Sequence, residues 1–144
     1  MKRTATAKWQ GGLKDGKGHL NAQSGAFKDQ PYNFRMRFED ESGKSGTNPE
    51  ELIAAAHAGC FSMALSGQLE KAGHTAENIQ TECTITMAME DKGPRVTTST
   101  LKLQAKVPGM DQEAFMKAAN EAKQNCPISR LLNCDINLDA QLQG

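Results

Sequence analysis

The feature that most constrains the fold is a long helical segment in the middle of the chain. Asn48 fits an N-cap, Pro49 stands at the first helical position, and Glu51 lies three residues past the cap, where it could complete a capping box. Apolar residues then recur at helical spacing as far as a stop at Ala72-Gly73. They are Leu52, Ile53, Ala56, Cys60, Met63, Ala64 and Leu65. Small residues between them allow another element to approach closely, so we expect one long, central and buried helix.

Short strand patterns precede this helix. Residues 4–10 and 18–23 alternate weakly, and residues 33–38 place Phe34, Met36 and Phe38 on one face, with Arg35 and Arg37 on the other. Glycine and proline turns separate the three runs. The pattern predicts a three-stranded antiparallel meander.

The second half of the chain repeats this arrangement with a helix inserted. Residues 79–89 and 96–107 form a predicted hairpin, Asp111 is a candidate cap for the next helix, and residues 134–142 alternate as a half-buried strand. The expected order is βββαββαβ. We therefore predict an α+β fold, with two antiparallel three-stranded halves around the long helix, in one domain over residues 1–144.

Composition excludes several classes of function. Seventeen basic and seventeen acidic side chains leave no net charge, which argues against nucleic-acid binding and against a polybasic membrane anchor. No segment approaches the roughly 18 apolar residues of a membrane span, and no apolar secretory segment follows the first residues, so we expect no membrane association and a reducing cytoplasm. There the four cysteines are more easily buried thiols, ligands or redox groups than a disulfide framework. No close C-x-x-C pair or ordered phosphate loop occurs, so we expect no metal and no cofactor.

Two cysteines lie where chemistry is possible. Cys60 falls on the apolar face of the long helix, where it is either a small buried hydrophobe or a nucleophile with His57, three residues earlier, as a proton acceptor. Cys126 precedes Pro127 at a predicted helix start, where backbone N–H groups and the helix dipole stabilise a thiolate. Cys83 and Cys134 share faces with strand isoleucines, which favours core packing.

The run Gly46-Thr47-Asn48-Pro49-Glu50-Glu51 through Leu65, and the later Asn125-Cys126-Pro127-Ile128-Ser129, resemble the OsmC/Ohr family of thiol-dependent hydroperoxide reductases. Gln30-Pro31-Tyr32 and Met36-Arg37-Phe38-Glu39 are more similar to the OsmC branch, which is osmotically inducible. The resemblance implies an α+β fold, an intertwined homodimer with shared active sites, and a role in oxidative or osmotic stress defence. It also implies an organic hydroperoxide as substrate and a dithiol or lipoyl-bearing protein as reductant.

The resemblance also assigns roles to residues. Cys60 becomes the peroxidatic cysteine and Cys126 the resolving cysteine, which captures the Cys60 sulfenic acid as a disulfide. Glu50 corresponds to the active-site glutamate and Arg37 to the arginine of this branch, while Arg35 shares the predicted strand face of Arg37 and is the alternative. Glu51 keeps the capping role.

The chemistry explains why these residue types are needed. Burial raises the pKa of a thiol, so a cationic group must favour the Cys60 thiolate; Arg37 can supply that charge while Glu50 fixes its guanidinium. Ten residues of helix separate Glu50 from Cys60, which is about 15 Å along the axis. We therefore expect Arg37 and Glu50 to reach the thiol of the partner chain. Phe38, Phe61, Met63 and Ile128 could wall the thiol and favour organic hydroperoxides over hydrogen peroxide.

Two other classes of function remain open. A Cys60-His57 hydrolase or acyl transferase would need no Cys126, although the sequence offers no evident oxyanion loop for it. A stress-related protein that binds a hydrophobic ligand would use the same apolar surfaces, with its cysteines serving only as structure.

Overall fold

The computed structural model describes all 144 residues and contains the expected α+β elements. Strands β1 (Ala5–Gln10), β2 (Lys17–Ala22) and β3 (Gln30–Tyr32) precede helix α1 (Pro49–Lys71). Strands β4 (Asn78–Glu90) and β5 (Gly93–Lys106) follow, then helices α2 (Gln112–Asn125) and α3 (Pro127–Leu131) and strand β6 (Asp135–Gln143). The chain falls into two compact units, 1–52 and 53–144. Whether it folds as one domain stays a prediction.

The first unit holds an antiparallel sheet in the order β1-β2-β3. The third strand stops at Tyr32, so the prediction of a strand over 33–38 is wrong. Asn33 explains the difference: its side-chain Oδ1 accepts from the Met36 N–H at 2.8 Å and its carbonyl from the Arg37 N–H at 3.2 Å, which starts a π-helix over Arg35–Glu39. The alternation was ambiguous because Phe34 and Phe38 are also one helical turn apart, and their rings lie 5.0 Å from each other.

The second unit holds a sheet in the order β4-β5-β6. The β4-β5 pair is antiparallel as expected, but β6 runs parallel to β5, so the prediction of an antiparallel second half is wrong for this strand. The reason is the connection: α2 and α3 form a crossover that returns the chain to the beginning of β5, as a parallel pair requires.

The core lies between this sheet and the helices. Helix α1 contributes a stripe with a spacing of four residues, and β5 contributes every second residue from Leu101. Asp111 is the N-cap of helix α2, and its side chain accepts from the Ala114 N–H at 2.8 Å. The fully buried apolar side chains are Phe61, Leu65, Leu69, Leu101, Leu103, Ala105, Phe115, Ala119, Ala122 and Cys126.

Helix α1 begins as the sequence predicts but is less buried than expected. The Asn48 side chain accepts from the Glu51 N–H at 2.8 Å, whereas the Glu51 carboxylate accepts from the Thr47 hydroxyl instead of closing the capping box. The 23-residue helix is long and apolar enough to cross a membrane by length and composition, so the statement that no segment approaches this requirement is wrong. Of its most apolar 18 residues, 22 % are buried within the chain.

Candidate active site

The structure brings Cys60 and Cys126 together at the junction of α1 and α3. Cys60 is half-buried, whereas Cys126 is fully buried and is the N-cap of α3, where its Sγ accepts from the Ser129 N–H at 3.3 Å. The Cys60 thiol interacts with the Cys126 side chain and with the backbone N–H of Ile128. Two thiols that are far apart in sequence are therefore neighbours.

The surroundings of Cys60 disfavour its thiolate. Burial raises the pKa of this thiol, and contact with the Cys126 thiol raises it further, while the Ile128 N–H opposes both effects. None of these groups carries a positive charge. These neighbours in the second unit therefore do not favour the Cys60 thiolate.

A positive charge held in a fixed geometry lies in the first unit. Arg37 donates from Nε to both oxygens of Glu50, at 3.1 and 3.2 Å, and from Nη2 to Oε1 at 2.6 Å. Its Nη1 takes no part in this pair, and the guanidinium lies over the Phe38 ring at 4.9 Å. Arg35, the alternative, is exposed and forms no ion pair. The geometry leaves Arg37 with free N–H donors beside its carboxylate, as an anion-binding guanidinium requires.

Beside Arg37 lies an apolar cleft of about 300 Å³. Two of its aromatic residues, Trp9 and Tyr32, pack against Gly18, where a side chain would collide with both rings; the ring centroids are 5.5 Å apart. The lining residues are Trp9, Leu13, Tyr32, Asn33, Phe34, Arg37 and Phe38. The cleft combines aromatic surface with one cationic group.

The expected apolar wall around the thiol is only partly present. Phe61 is wholly inside the core and cannot contact a ligand, so its assignment is wrong. Ile128 is half-buried beside Cys60, and Met63 is 79 % exposed on α1.

Sequence reasoning missed a buried polar network around His57. His57 is fully buried, and its Nδ1 and Nε2 bond to the hydroxyls of Ser99 and Ser129 at 2.6 and 2.7 Å. The Ser129 hydroxyl also contacts Cys126 Sγ, and the Ser99 hydroxyl contacts Cys83 Sγ, both at 3.3 Å. Both ring nitrogens are therefore occupied, which leaves neither free to serve as the base for Cys60 that the hydrolase alternative needs. The partners come from β5 and α3, so no local spacing could have indicated them.

Burial of His57 predicts a stability that depends on pH. Burial lowers the pKa of His57 below its usual 6.5, so the unfolded chain binds more protons than the folded chain as the pH falls through 6.5. We therefore expect the free energy of unfolding to decrease as the pH is lowered below 6.5. This one group contributes a decrease of up to about 1.4 kcal/mol per pH unit. Urea denaturation between pH 7.5 and 5.5 measures the slope.

The matched variants are His57→Gln, which should flatten this slope, and His19→Gln in the first unit, which removes a histidine outside the network. An equal slope in the parent and in His57→Gln would contradict the assignment.

The chain is similar to known proteins over nearly its whole length. The family model described as OsmC-like protein matches residues 41–141. Peroxiredoxin OsmC of Escherichia coli is 46% identical over 138 residues, which cover 96% of this chain and 94% of that protein. Organic hydroperoxide resistance protein-like 2 of Staphylococcus epidermidis is 34% identical over 107 residues, covering 70% of this chain and 72% of that protein.

Solved structures share the fold. The OsmC-like protein of Mycoplasma pneumoniae superposes with a TM-score of 0.77 at 14% identity, over 100% of this chain and 99% of that one. The organic hydroperoxide resistance protein OhrB of Bacillus subtilis does so with a TM-score of 0.67 at 23% identity, over 97% and 98% of the two chains. The family match, which spans more than half of the sequence, and the 46% identity to Peroxiredoxin OsmC establish that the chain belongs to the OsmC-like protein family.

Proposed function

We propose that this protein is a peroxide-reducing enzyme of the peroxiredoxin type, with Cys60 and Cys126 as its redox thiols and organic hydroperoxides as its substrates. The observation that carries the proposal is the contact between a half-buried Cys60 and a fully buried Cys126. The names of the relatives, a peroxiredoxin and organic hydroperoxide resistance proteins, support a peroxide-reducing activity in general. The roles of the individual residues and the class of peroxide are our own assignments.

The reaction proceeds in three steps. The Cys60 thiolate attacks the terminal oxygen of the hydroperoxide, the O–O bond breaks, and the alcohol leaves while Cys60 becomes a sulfenic acid. Cys126 then attacks the Cys60 sulfur, which forms a disulfide and releases water. A dithiol or lipoyl-bearing reductant, of the kind a reducing cytoplasm supplies, reopens the disulfide by exchange.

Activation of Cys60 requires a second copy of the chain. Helix α1 is continuous from Pro49 to Lys71, so Glu50 and Cys60 stand about 15 Å apart along its axis. The Arg37-Glu50 pair of one protomer is therefore assigned to Cys60 of its partner, where the free Nη1 can donate to the thiolate and to the peroxide oxygen. The active site is then shared between two chains.

The surface supports an intertwined dimer. Among residues 1–52 only Gly18 is buried, and all six residues of β1 are exposed. Helix α1 also exposes a strip of small and apolar residues, Ala55, Ala56, Gly59 and Met63. A unit with so little buried surface needs a partner for stability, and a second copy can cover both surfaces.

The aromatic cleft supports an organic substrate. It adjoins Arg37 and would accompany that residue to the partner's Cys60, where its rings could bury an alkyl or aryl group. We therefore propose a higher kcat/KM for cumene hydroperoxide than for hydrogen peroxide. Steady-state assays of both peroxides, with Trp9→Ala as the variant that opens the cleft, test this preference; equal values in the parent would contradict it.

Addition of one equivalent of an organic hydroperoxide to fully reduced protein tests the whole proposal. Peptide mass spectrometry should find a rapidly formed disulfide between Cys60 and Cys126, with Cys83 and Cys134 still free. Unreacted Cys60 in folded, dimeric protein would contradict the peroxidase assignment and favour a hydrophobic-ligand protein that uses the aromatic cleft. Ligand affinity that persists in a Cys60→Ser, Cys126→Ser variant would then identify that function.

Replacement of Cys126 by serine should separate the two steps. We expect the first turnover to continue, because Cys60 still attacks the peroxide, but the sulfenic acid to persist and to oxidise to sulfinic acid under excess peroxide. Turnover with a dithiol reductant should fall at least about tenfold while the initial burst remains. Mass spectrometry of Cys60 with time measures this outcome; steady turnover at the parent rate would remove Cys126 from the mechanism.

A further inference from the structure

The network around His57 forms a continuous chain of hydrogen bonds between two thiols. Its order is Cys126, Ser129, His57, Ser99 and Cys83, with links of 3.3, 2.7, 2.6 and 3.3 Å. The first four side chains are buried, whereas Cys83 at the far end is half-buried on β4. This series of hydrogen bonds therefore leads from the fully buried thiol of Cys126 toward the surface at Cys83.

The donors and acceptors in this series of hydrogen bonds can be oriented in only two ways. Burial lowers the pKa of His57, so the imidazole is neutral and has one N–H donor and one acceptor nitrogen. Each serine hydroxyl between its neighbours then donates to one and accepts from the other. The hydrogens all point either from Cys126 toward Cys83 or from Cys83 toward Cys126, and a shift of one proton along every link converts one orientation into the other.

The buried position of Cys126 creates a need for such a path. To form a disulfide Cys126 must lose its S–H proton, yet its side chain has no exposed surface through which bulk water could accept it. Ser129 is the one hydroxyl in contact with this sulfur, and its backbone N–H also donates to Cys126 Sγ at 3.3 Å, so negative charge can develop there as the proton leaves.

We propose that His57 is the positioning residue of a proton relay that carries the Cys126 thiol proton through Ser129 and Ser99 to Cys83 while the disulfide forms. This inference rests on the proposed role of Cys126 as the resolving cysteine. It gives the buried histidine and Cys83 a function that packing alone does not provide.

The step balances without any further reactant. Cys126 Sγ attacks the Cys60 sulfur of the sulfenic acid, the S–S bond forms, the Cys60 S–O bond breaks, and the departing hydroxide takes a proton from solvent to become water. The Cys126 proton passes to Ser129 as the Ser129 proton passes to His57 Nε2. The Nδ1 proton passes to Ser99, the Ser99 proton to Cys83 Sγ, and Cys83 releases its own proton to solvent. Cys126 is oxidised, Cys60 is reduced, and His57 ends as the other neutral tautomer.

Reduction of the disulfide resets the relay. When the reductant frees Cys126, its thiolate recovers a proton along the same path in the reverse direction. His57 thus returns to its first tautomer and never has to carry a buried positive charge, which would be costly at this site.

A single-turnover experiment on the dimeric protein tests the relay. Reduced Ser129→Ala and His57→Gln variants receive one equivalent of tert-butyl hydroperoxide, and quenched mass spectrometry follows the Cys60 sulfenic acid and the Cys60-Cys126 disulfide separately. We expect sulfenic acid formation at the parent rate, but disulfide formation slowed by about 100-fold, the low end of general acid–base effects. The pH dependence of the slowed step should also differ from that of the parent, because the Cys126 proton no longer leaves through the relay.

Two further variants keep the test decisive. Ser62 lies on helix α1, as His57 does, but is not part of the hydrogen-bonded relay. The variant Ser62→Ala removes its 2.8 Å hydrogen bond to Thr81 and should leave both steps unchanged. Ser99→Ala cuts the relay beyond His57 and should slow disulfide formation even if His57→Gln fails to fold. Resolution by Ser129→Ala and Ser99→Ala at the parent rate, with the parent's pH profile, would overturn the relay. A parent that forms no disulfide would overturn the proposed function itself.

Discussion

A Cys60→Ser variant is expected to lose peroxide reduction by at least about 1,000-fold, because a serine hydroxyl has neither the acidity nor the nucleophilicity of a thiol toward an O–O bond. The variant should remain folded, since Cys60 is half-buried and serine is of similar size. Steady-state turnover of an organic hydroperoxide with a dithiol reductant measures the loss.

Cys134→Ser is the matched control, because Cys134 is another half-buried thiol and has no part in the proposed reaction. It should keep the parent activity. Substantial turnover in Cys60→Ser, or an equal loss in Cys134→Ser, would show that another thiol attacks the peroxide.

Arg37→Met is expected to reduce kcat/KM by about 100- to 1,000-fold, because the variant loses both the charge that favours the Cys60 thiolate and a donor to the developing oxyanion. Methionine fills much of the same space without charge. Without Arg37, burial and the neighbouring Cys126 thiol hold the pKa of the Cys60 thiol above its usual value, so activity should recover as the pH rises. A pH-rate profile between 6 and 10 measures this recovery.

Arg35→Met provides the comparison, because Arg35 lies on the same π-helix and is also exposed, but forms no ion pair. It should keep the parent profile. Equal losses in the two variants would indicate a general effect of positive charge rather than the fixed geometry of Arg37 and Glu50.

Local signals in the sequence were sufficient for the elements that begin and end on defined residues. Asn48-Pro49 and Asp111 marked the two main helix starts, and the period of two in residues 101–107 marked the buried strand. The run at 33–38 failed because Phe34 and Phe38 satisfy a strand and a helical turn equally, and the hydrogen bonds that Asn33 accepts from Met36 and Arg37 favour the turn. The parallel pairing of β6 follows from the α2-α3 crossover, which spacing within a strand does not encode.

The candidate site also contains residues that local sequence motifs indicated and residues that they could not indicate. Cys60, Cys126, Arg37 and Glu50 lie in short sequence motifs; in the structure Cys60 is next to Cys126, and Arg37 is paired with Glu50. The His57 network joins residues 42 and 72 positions away, so it exists only after the sheet and helices have packed. Buried polar side chains become informative when their hydrogen-bond partners are known.

Sharing of the active site between two chains is tested most directly by mixed dimers. A dimer of one Cys60→Ser chain and one Arg37→Met chain contains one intact site if Arg37 acts on the partner's Cys60, and none if it acts within its own chain. A dimer of the parent with a Cys60→Ser, Arg37→Met chain gives the opposite result. Peroxide turnover of the two purified heterodimers, each isolated with distinct affinity tags, is therefore the measurement to make.

We predict about half of the parent activity in the first heterodimer and almost none in the second, as expected for two independent sites. An inactive first heterodimer with a half-active second one would contradict the shared site and confine Arg37, Glu50 and Cys60 to a single chain.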